Sequence, residues 1–190
     1  MINLSKRLMK ISSFINKDDN VLDVGCDHAL LDIYLSNKYS KTYYASDLRE
    51  SALNMARNNI KKYNTDKVIL KCGNGLEVIN ECDIDTIVIS GMGYMTILNI
   101  LKRIKYIKKI NKLVIESNTN PEKVRKFLLK NGFYIEKEEL VFDKNITIGK
   151  NIHVYNALEI NEDEIVLYCD KTGFIKDYFF LLFYDIKNNN

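Results

Sequence analysis

The spacing of apolar residues along the chain alternates between helical and extended patterns, and this alternation predicts the fold. One helical stripe begins the chain and is formed by Leu4, Leu8, Ile11 and Ile15. A short apolar run follows at 20–25. Apolar residues three or four positions apart indicate an amphipathic helix, whereas a short apolar run between turn residues indicates a buried strand. The chain therefore starts with a helix that leads into a strand.

The same alternation continues as far as residue 132. The pattern predicts strands at 20–25, 41–47, 67–72, 84–90 and 111–117, and helices at 29–35, 50–63, 94–106 and 120–132. Asn120 and Pro121 suit the N-cap and first position of the last helix, and Gly132 suits its end. This order favours an α/β fold with an open, mostly parallel twisted sheet and helices on both faces.

From Phe133 the apolar pattern changes to a period of two. Runs at 133–142 and 150–160 predict an antiparallel hairpin with a turn around 143–145. A length of 190 residues suits one domain. We therefore expect one domain over residues 1–160, including the N-terminal helix, and a short tail over residues 161–190 that packs on it without forming a second domain.

Composition excludes several classes of protein. One proline and eight glycines exclude a low-complexity chain, and a net charge of +3 does not by itself indicate a nucleic-acid-binding protein. The longest apolar run, at 178–184, is too short to span a membrane. Residues 1–17 are basic and lack acids, as in a transit peptide, but their helical stripe favours a place in the mature fold. We expect a cytoplasmic protein that does not bind membranes.

The cysteines show no spacing typical of a metal site. They are Cys26, Cys72, Cys82 and Cys169. No C-x-x-C pair is present, and only two histidines accompany them. We predict reduced, buried thiols and no bound metal.

The first strand leads into the loop D-V-G-C-D-H-A, which starts at Asp23. The loop lacks the glycines of a dinucleotide fingerprint, and a carboxylate at Asp27 would repel a pyrophosphate. The same carboxylate would suit a cationic sulfonium and an amino group, which S-adenosylmethionine presents. The alternative is that Asp27 only caps the next helix.

Three further loops follow successive predicted strands. Asp47 ends the second strand and is able to accept both hydroxyls of a ribose, unless it simply caps the helix that starts at Glu50. Asn74 stands between two glycines and offers a donor and an acceptor to an adenine edge, although Gly73-Asn74-Gly75 alone is a turn. The fourth loop, 90–94, again places two glycines beside a bulky side chain, where the methyl group and its acceptor would meet.

These elements together resemble the bacterial tRNA adenine-N1-methyltransferase family TrmK. The resemblance rests on D-V-G-C-D-H-A-L-L, the acid at Asp47, G-N-G-L-E-V-I at 73–79, I-S-G-M-G at 89–93 and L-S-K-R-L at 4–8. It covers about residues 4–160. It implies a Rossmann-like class I S-adenosylmethionine-dependent methyltransferase that modifies N1 of an adenosine in tRNA. N1 carries a lone pair, so the reaction would need orientation and exclusion of water rather than a strong base.

The resemblance assigns a role to each loop. The cofactor residues would be Asp23, Gly25, Asp27 and His28 at the methionine part, Asp47 and Leu48 at the ribose, Asn74 and Gly75 at the adenine, and Gly91, Met92 and Gly93 at the reaction edge. For the catalytic residues we expect Asn118 or Asp27 to contact the target base and Tyr94 to stack on it. The alternative for Tyr94 is a core aromatic on the following helix.

Three positions depart from the family pattern and keep two alternatives open. Asn74 replaces an Asp, Tyr94 replaces a Gly, and Glu116-Ser117-Asn118 stands in place of Gln-Pro-Asn. One alternative is a methyltransferase that acts on a small molecule or a protein. The other is a catalytically silent domain that binds RNA or a partner.

A basic segment at 101–112 is the candidate for binding tRNA phosphates, together with Arg7 near the site mouth. The segment contains no acid, and its basic residues are Lys102, Arg103, Lys105, Lys108, Lys109 and Lys112. We expect Lys102 and Arg103 to contribute most and DNA not to be a partner. The alternative is a solvated helix face.

Overall fold

A computed structural model of the chain describes residues 2–81, 83–102, 104, 109–141 and 150–157. The helices are α1 (Lys6–Ser13), α2 (Leu30–Tyr39), α3 (Glu50–Lys62), α4 (Tyr94–Leu101) and α5 (Pro121–Lys130). The strands are β1 (Val21–Val24), β2 (Tyr43–Asp47), β3 (Val68–Cys72), β4 (Thr86–Gly93), β5 (Lys112–Thr119), β6 (Phe133–Val141) and β7 (Lys150–Ala157). A 3₁₀ helix, Gly75–Glu81, follows β3.

The strands form one 7-stranded sheet in the order β3-β2-β1-β4-β5-β7-β6. The first five strands of this order are parallel, and β7 runs antiparallel to both β5 and β6. The predicted Rossmann-like α/β fold, with a mostly parallel sheet and an antiparallel hairpin, is confirmed. The strand order reverses between β1 and its neighbours β2 and β4, and sheets of this kind bind ligands at the carboxyl ends of the strands at that point.

Successive apolar side chains of the central strands point to opposite faces of the sheet. Leu22 of β1 packs in a core that contains Ile97 of α4 and Leu128 of α5. Val21 points to the other face and packs in a core that contains Leu31 of α2. Successive residues of a strand face opposite sides, so this alternation buries β1 under helices on both faces. Helices α1, α2 and α3 cover the second face.

Helix α1 is an integral part of the fold. The Ser5 side chain accepts a hydrogen bond from the backbone N–H of Leu8 and so caps the helix. Ile11 is fully buried, and the Tyr39 hydroxyl donates to the carbonyl of Ile15. These contacts fix α1 on α2 and place Arg7 over the carboxyl edge of the sheet.

The structure corrects two predicted elements. Helix α4 ends at Leu101, so Lys102 occupies its C-cap and the predicted helix 94–106 is too long. Arg103, Lys105 and Lys108 lie outside the described residues. The 3₁₀ helix was not predicted, because it is only seven residues long and its buried residues, Leu76, Val78 and Ile79, do not form the repeated stripe of an α-helix.

The proposed helix caps are also corrected. The N-cap of α2 is Ala29, so Asp27 does not cap that helix. The N-cap of α3 is Arg49 rather than Asp47. Asn120 is the N-cap residue of α5 but makes no capping hydrogen bond, because its backbone is left-handed (φ 43°) and its amide donates to Glu122 Oε1 at 3.1 Å.

The cysteine prediction is correct for one residue and wrong for another. Cys26 is buried, whereas Cys72 is exposed because it ends β3 at the edge of the sheet. Cys82 and Cys169 lie outside the described residues, as do the predicted turn at 143–145 and the tail at 161–190. In the part of the chain that is described, no helix is long and apolar enough to cross a membrane.

Candidate functional site

A cavity of about 750 Å³ opens at the carboxyl ends of β1 to β4. Its volume lies within the roughly 300–1,000 Å³ typical of small-molecule sites. Predicted site residues that line it are Arg7, Asp23, Gly25, Asp27, His28, Asp47, Leu48, Asn74, Gly75, Gly91 and Met92. Gly93, Tyr94, Asn118 and Lys102 are not part of its lining. The loops after four different strands therefore meet at one site.

The β1 loop is tightly curled. Gly25, Asp27 and Ala29 all have positive φ angles, of 78°, 50° and 53°. The backbone N–H groups of Gly25 and Cys26 both donate to the carbonyl of Ser46, which fixes the loop against the end of β2. A Cβ atom on Gly25 would collide with Met92 Cε. Gly25 therefore packs directly against the Met92 side chain, which a larger residue at this position would displace.

Asp27 and His28 stand on the rim of the cavity. Asp27 Oδ2 lies 3.3 Å from His28 Nε2, and its Oδ1 lies 3.9 Å from Arg49 Nη2. Both side chains are substantially exposed, at 57% for Asp27 and 41% for His28. A carboxylate at this position meets solvent and remains accessible to an incoming cation.

Asp23 lies deeper, at the base of the cavity. Its burial raises the pKa of its carboxyl group to about 7, although a hydrogen-bond contact with Asp32 and the charge of Arg7 act to lower that pKa. Cys26 lies near the same carboxyl groups, and burial together with their charges raises the pKa of its thiol. The thiol is therefore protonated and unsuited to nucleophilic chemistry.

Asp47 is the buried acid at the end of β2. Its Oδ1 accepts a hydrogen bond from the backbone N–H of Arg49 at 2.9 Å, which orients the carboxylate. Leu48 is 66% exposed at the mouth. Beyond it, Gly75 leaves little space, because a Cβ atom there would lie 3.2 Å from Ile100 Cγ1. The oriented Asp47 carboxylate and the apolar Ile100 side chain both line the cavity, and this combination suits a ribose that carries a base.

A polar cluster ties α1 to the ends of β4 and β5. Glu116 is fully buried, and its Oε2 accepts from Arg7 Nη1 at 3.2 Å, from Ser90 Oγ at 3.3 Å and from the backbone N–H of Gly91 at 2.8 Å. Arg7 also hydrogen-bonds Ser90 Oγ. We call Arg7, Ser90 and Glu116 the Arg7 cluster. Glu116 thus compensates the charge of the guanidinium that α1 brings to this edge.

Asn118 and Tyr94 lie beside this edge but outside the cavity. Asn118 Nδ2 donates to the carbonyl of Gly91 at 2.6 Å. Tyr94 packs partly against the apolar core, and Lys123 Nζ stands 4.6 Å from its ring centroid. The Tyr94 ring thus packs partly on the core, as expected of a core aromatic, and its exposed face contacts the Lys123 ammonium group.

The basic segment is less available than the sequence indicates. Lys109 Nζ lies 3.0 Å from Asp83, and Lys112 Nζ lies 2.5 Å from Asp19. Lys102 ends α4, and an eight-residue helix is about 12 Å long, so its backbone lies away from the reaction edge. Asp83 and Asp19, which lie outside the segment, pair with Lys109 and Lys112, so the sequence of the segment alone does not reveal these ion pairs.

The donor set fits S-adenosylmethionine. Asp23 and Asp27 present carboxylates to the cavity after β1, and the buried Asp47 presents another after β2; such acceptors suit the cationic methionine part and the ribose hydroxyls of this cofactor. A sheet with this strand order and this cavity defines a class I S-adenosylmethionine-dependent methyltransferase.

Comparison with known proteins identifies the family. The family model described as a methyltransferase domain matches residues 4–148, and the chain belongs to this family. A probable cobalt-precorrin-6B C(15)-methyltransferase (decarboxylating) from Methanococcus maripaludis is 31% identical over 80% of this chain and 77% of that protein. The tRNA (adenine(22)-N(1))-methyltransferase of Bacillus subtilis is 28% identical over 74% of this chain and 60% of that enzyme.

A solved structure shares both the fold and part of the sequence. M. capricolum TrmK, in complex with the cofactor product S-adenosyl-homocysteine, superposes with a TM-score of 0.73 at 31% identity, over 85% of this chain and 74% of that chain. The chain is therefore an S-adenosylmethionine-dependent methyltransferase, and the cofactor prediction is confirmed.

Proposed function

We propose that this methyltransferase transfers a methyl group to N1 of an adenosine in tRNA. The observation that carries the proposal is the likeness to M. capricolum TrmK, which extends over 85% of this chain at 31% identity. The relative from B. subtilis, whose name specifies adenine 22 of tRNA, supports the same substrate.

In the proposed arrangement the cofactor lies across the loops after β1, β2 and β3. The methionine part would contact Asp23, Gly25, Asp27 and His28, the ribose Asp47 and Leu48, and the adenine Asn74 and Gly75. The burial of Asp47, 6% exposed, supports its role, because a carboxylate shielded from water makes stronger hydrogen bonds to hydroxyl groups. Gly91, Met92 and Gly93 would form the reaction edge.

The cofactor supplies an electrophilic methyl group, and the protein residues position the target base. Adenine N1 has its own lone pair, so the residues at the edge need to orient the base and exclude water rather than remove a proton. Because N1 lies on the Watson–Crick edge, a paired target has to be unstacked first. Asn118, anchored on Gly91, and Asp27 on the rim are the proposed polar contacts to the base, and Tyr94 is the proposed stacking surface.

Lys123 is a further proposed contact to the tRNA backbone. It is exposed on the first turn of α5, and its ammonium lies over Tyr94, which directly follows the reaction edge. Phosphate contacts require accessible cations. Lys112 is largely buried in its pair with Asp19, and Lys109, although exposed, lies beside Asp83 near the amino end of β4. Contacts from Arg7, Lys102, Arg103 and Lys105 stay predictions. The Arg7 guanidinium is engaged by Ser90 and Glu116 and would act mainly by closing α1 over the edge.

A small tetrapyrrole is the second candidate substrate. It is favoured by the 31% identity to the probable cobalt-precorrin-6B methyltransferase, which is as high as the identity to M. capricolum TrmK. The two candidates require different acceptor surfaces, because a tRNA needs basic contacts outside the cavity whereas a small molecule is held within it.

The deciding experiment is mass spectrometry of nucleosides from unmodified tRNA transcripts after incubation with the protein and S-adenosylmethionine carrying a labelled methyl group. We expect labelled N1-methyladenosine. The matched control is a transcript with guanosine in place of the target adenosine, which should remain unlabelled. Failure to label any tRNA, by a preparation that binds the cofactor in calorimetry, would contradict the tRNA substrate and direct the assay to tetrapyrroles.

A further inference from the structure

Arg7 has hydrogen-bond donors that the Arg7 cluster does not use. A guanidinium carries five N–H donors, and the two on Nη1 serve Ser90 Oγ and Glu116 Oε2. Among the described residues no hydrogen-bond partner reaches Nη2 or Nε, and Nη2 lies 3.9 Å from the place of a Cβ atom on Gly91. Arg7 lines the cavity whereas the buried Glu116 does not. One edge of the guanidinium is therefore anchored in the protein, and the donors of the other edge are available to a ligand.

This anchoring places Arg7 beside the loop that follows β1. Strands β1 and β4 are parallel neighbours, and their register extends to the pair of Val24 and Ile89. The next residue of each strand, Gly25 or Ser90, lines the cavity. Neighbouring strands lie about 4.8 Å apart. The serine that holds Arg7 is therefore close to the proposed position of the cofactor's methionine part.

The methionine part brings an anion that the acids of the cavity do not suit. Its ammonium and carboxylate groups are attached to the same carbon atom. The buried Asp23 and Asp47 and the rim residue Asp27 present negative charge to the cavity. These acids attract the ammonium group and repel the carboxylate, and a carboxylate removed from water without a partner is costly. The ligand carboxylate therefore needs a cationic partner in the same part of the cavity.

Among the described residues that line the cavity, three side chains are cationic or able to become so: Arg7, His28 and Arg49. Arg49 Nε lies 3.5 Å from Asp47 Oδ1, and its Nη2 lies 3.9 Å from Asp27 Oδ1. His28 Nε2 lies 3.3 Å from Asp27 Oδ2. Both side chains thus face acids of the cavity itself, whereas the acid partner of Arg7 lies outside it. Arg7 is also better shielded, at 23% exposed against 68% for Arg49, and solvent screens its charge less.

We propose that Arg7 binds the carboxylate group of the cofactor's methionine part through the donors that Ser90 and Glu116 leave unused. Nε and Nη2 share one edge of the guanidinium, and a guanidinium pairs with a carboxylate through two parallel N–H···O bonds. Arg7 would then join two carboxylates, one of the protein and one of the ligand. This inference rests on the proposed placement of the methionine part after β1, and it assigns Arg7 to the cofactor rather than to a tRNA phosphate.

The test uses two ligands that differ only by this carboxylate. S-adenosylmethionine and its decarboxylated form share the adenosine, the sulfonium and the ammonium group. Calorimetric titration of the wild-type protein and of Arg7→Met measures both affinities, and the quantity compared is their ratio. Arg7→Met should lower the ratio of affinities, S-adenosylmethionine over the decarboxylated form, by about tenfold, the scale of a charge-assisted hydrogen bond. The decarboxylated form should keep its affinity.

Two further comparisons control for side effects of the substitution. Arg49→Met removes the other arginine of the cavity and should keep the wild-type ratio. Because Arg7→Met leaves the Glu116 carboxylate without its cation, the titrations are repeated with Glu116→Gln and with the double variant Arg7→Met/Glu116→Gln. No buried charge is left unpaired by the loss of Arg7 in that pair. The ratio should again fall when Arg7 is removed, even if Arg7→Met alone does not fold.

Equal weakening of both ligands by the loss of Arg7 would show a structural role only and would overturn the proposal. A ratio that falls in Arg49→Met instead, or an unchanged ratio with weakened tRNA binding in the Arg7 variants, would assign the anion differently and overturn it as well. The titrations contain no tRNA. A ratio that falls as expected in a protein unable to methylate tRNA would therefore contradict only the proposed substrate, whereas an unchanged ratio in a protein that methylates tRNA would contradict only the role of Arg7.

Discussion

The two halves of the carboxyl edge of the sheet are built in different ways. In the cofactor half, after β1, β2 and β3, the contacts that shape the loops join residues close in sequence or on adjacent strands, such as Asp47 with the N–H of Arg49. In the acceptor half, after β4 and β5, the shaping contacts join distant segments, as Arg7 does with Ser90 and Glu116. The proposed cofactor contacts therefore lie in short motifs, whereas the geometry of the proposed acceptor edge depends on the assembled fold.

The Arg7 cluster offers the strongest test of this difference. In Arg7→Met the guanidinium is lost and Glu116 is left with a buried charge, which should lower the free energy of unfolding by about 3 kcal/mol. Chemical denaturation measures the change, with Lys6→Met on the exposed side of α1 as the matched control. Adding Glu116→Leu to Arg7→Met should restore part of the loss. A double variant as unstable as the sum of its two single changes would show that the ion pair is not the cause.

Asp47 tests the cofactor half. Replacing it in Asp47→Ala should weaken S-adenosylmethionine binding by roughly 1.5–3 kcal/mol, the scale of hydrogen bonds to a charged group. Calorimetry measures this, and Asp66→Ala, an exposed acid at the opposite end of the sheet, is the control. Affinity equal to that of the wild type would contradict the ribose assignment.

Asn118 tests the acceptor half at the reaction edge. Because its amide holds the Gly91 carbonyl, Asn118→Ala should reduce kcat about tenfold through loss of orientation, with cofactor affinity unchanged. Single-turnover methylation of tRNA measures the rate, and the exposed Asn99→Ala serves as control. If Asn118→Ala also weakened cofactor binding, the two halves of the edge would not be independent, and this outcome would contradict the comparison.

Lys123 should produce the smallest effect. Lys123→Met should weaken tRNA binding two- to threefold and reduce the logarithmic salt slope by roughly 0.7–0.9, the contribution of one phosphate contact. Binding at several salt concentrations measures both quantities. Lys109→Met removes an ammonium that lies beside Asp83 near the amino end of β4, away from the site, so it should leave the slope unchanged. If Lys109→Met reduced the salt slope and Lys123→Met did not, tRNA would dock on the segment 101–112 instead.

The same contrast explains what the sequence predicts. The order of strands and helices follows from local periodicity, and each cofactor loop carries its own residues, so both are accessible to sequence reasoning. The Arg7 cluster joins residues from separate elements, and no local pattern pairs them. A signal does exist: Glu116 directly follows the apolar run 113–115 of β5, so it is an acid at a position expected to be buried, and such a residue requires a partner.

The position of β7 between β5 and β6 has a consequence for synthesis. The ribosome releases β5 well before β7, so one edge of β5 keeps unpaired N–H and C=O groups until residues 150–157 fold back into the gap. Glu116 pairs in register with Ile152, so the strand that carries this acid gains its outer neighbour last. A nascent chain stalled before residue 150 would therefore present an unpaired strand edge to chaperones, next to a proposed acceptor site that is still incomplete.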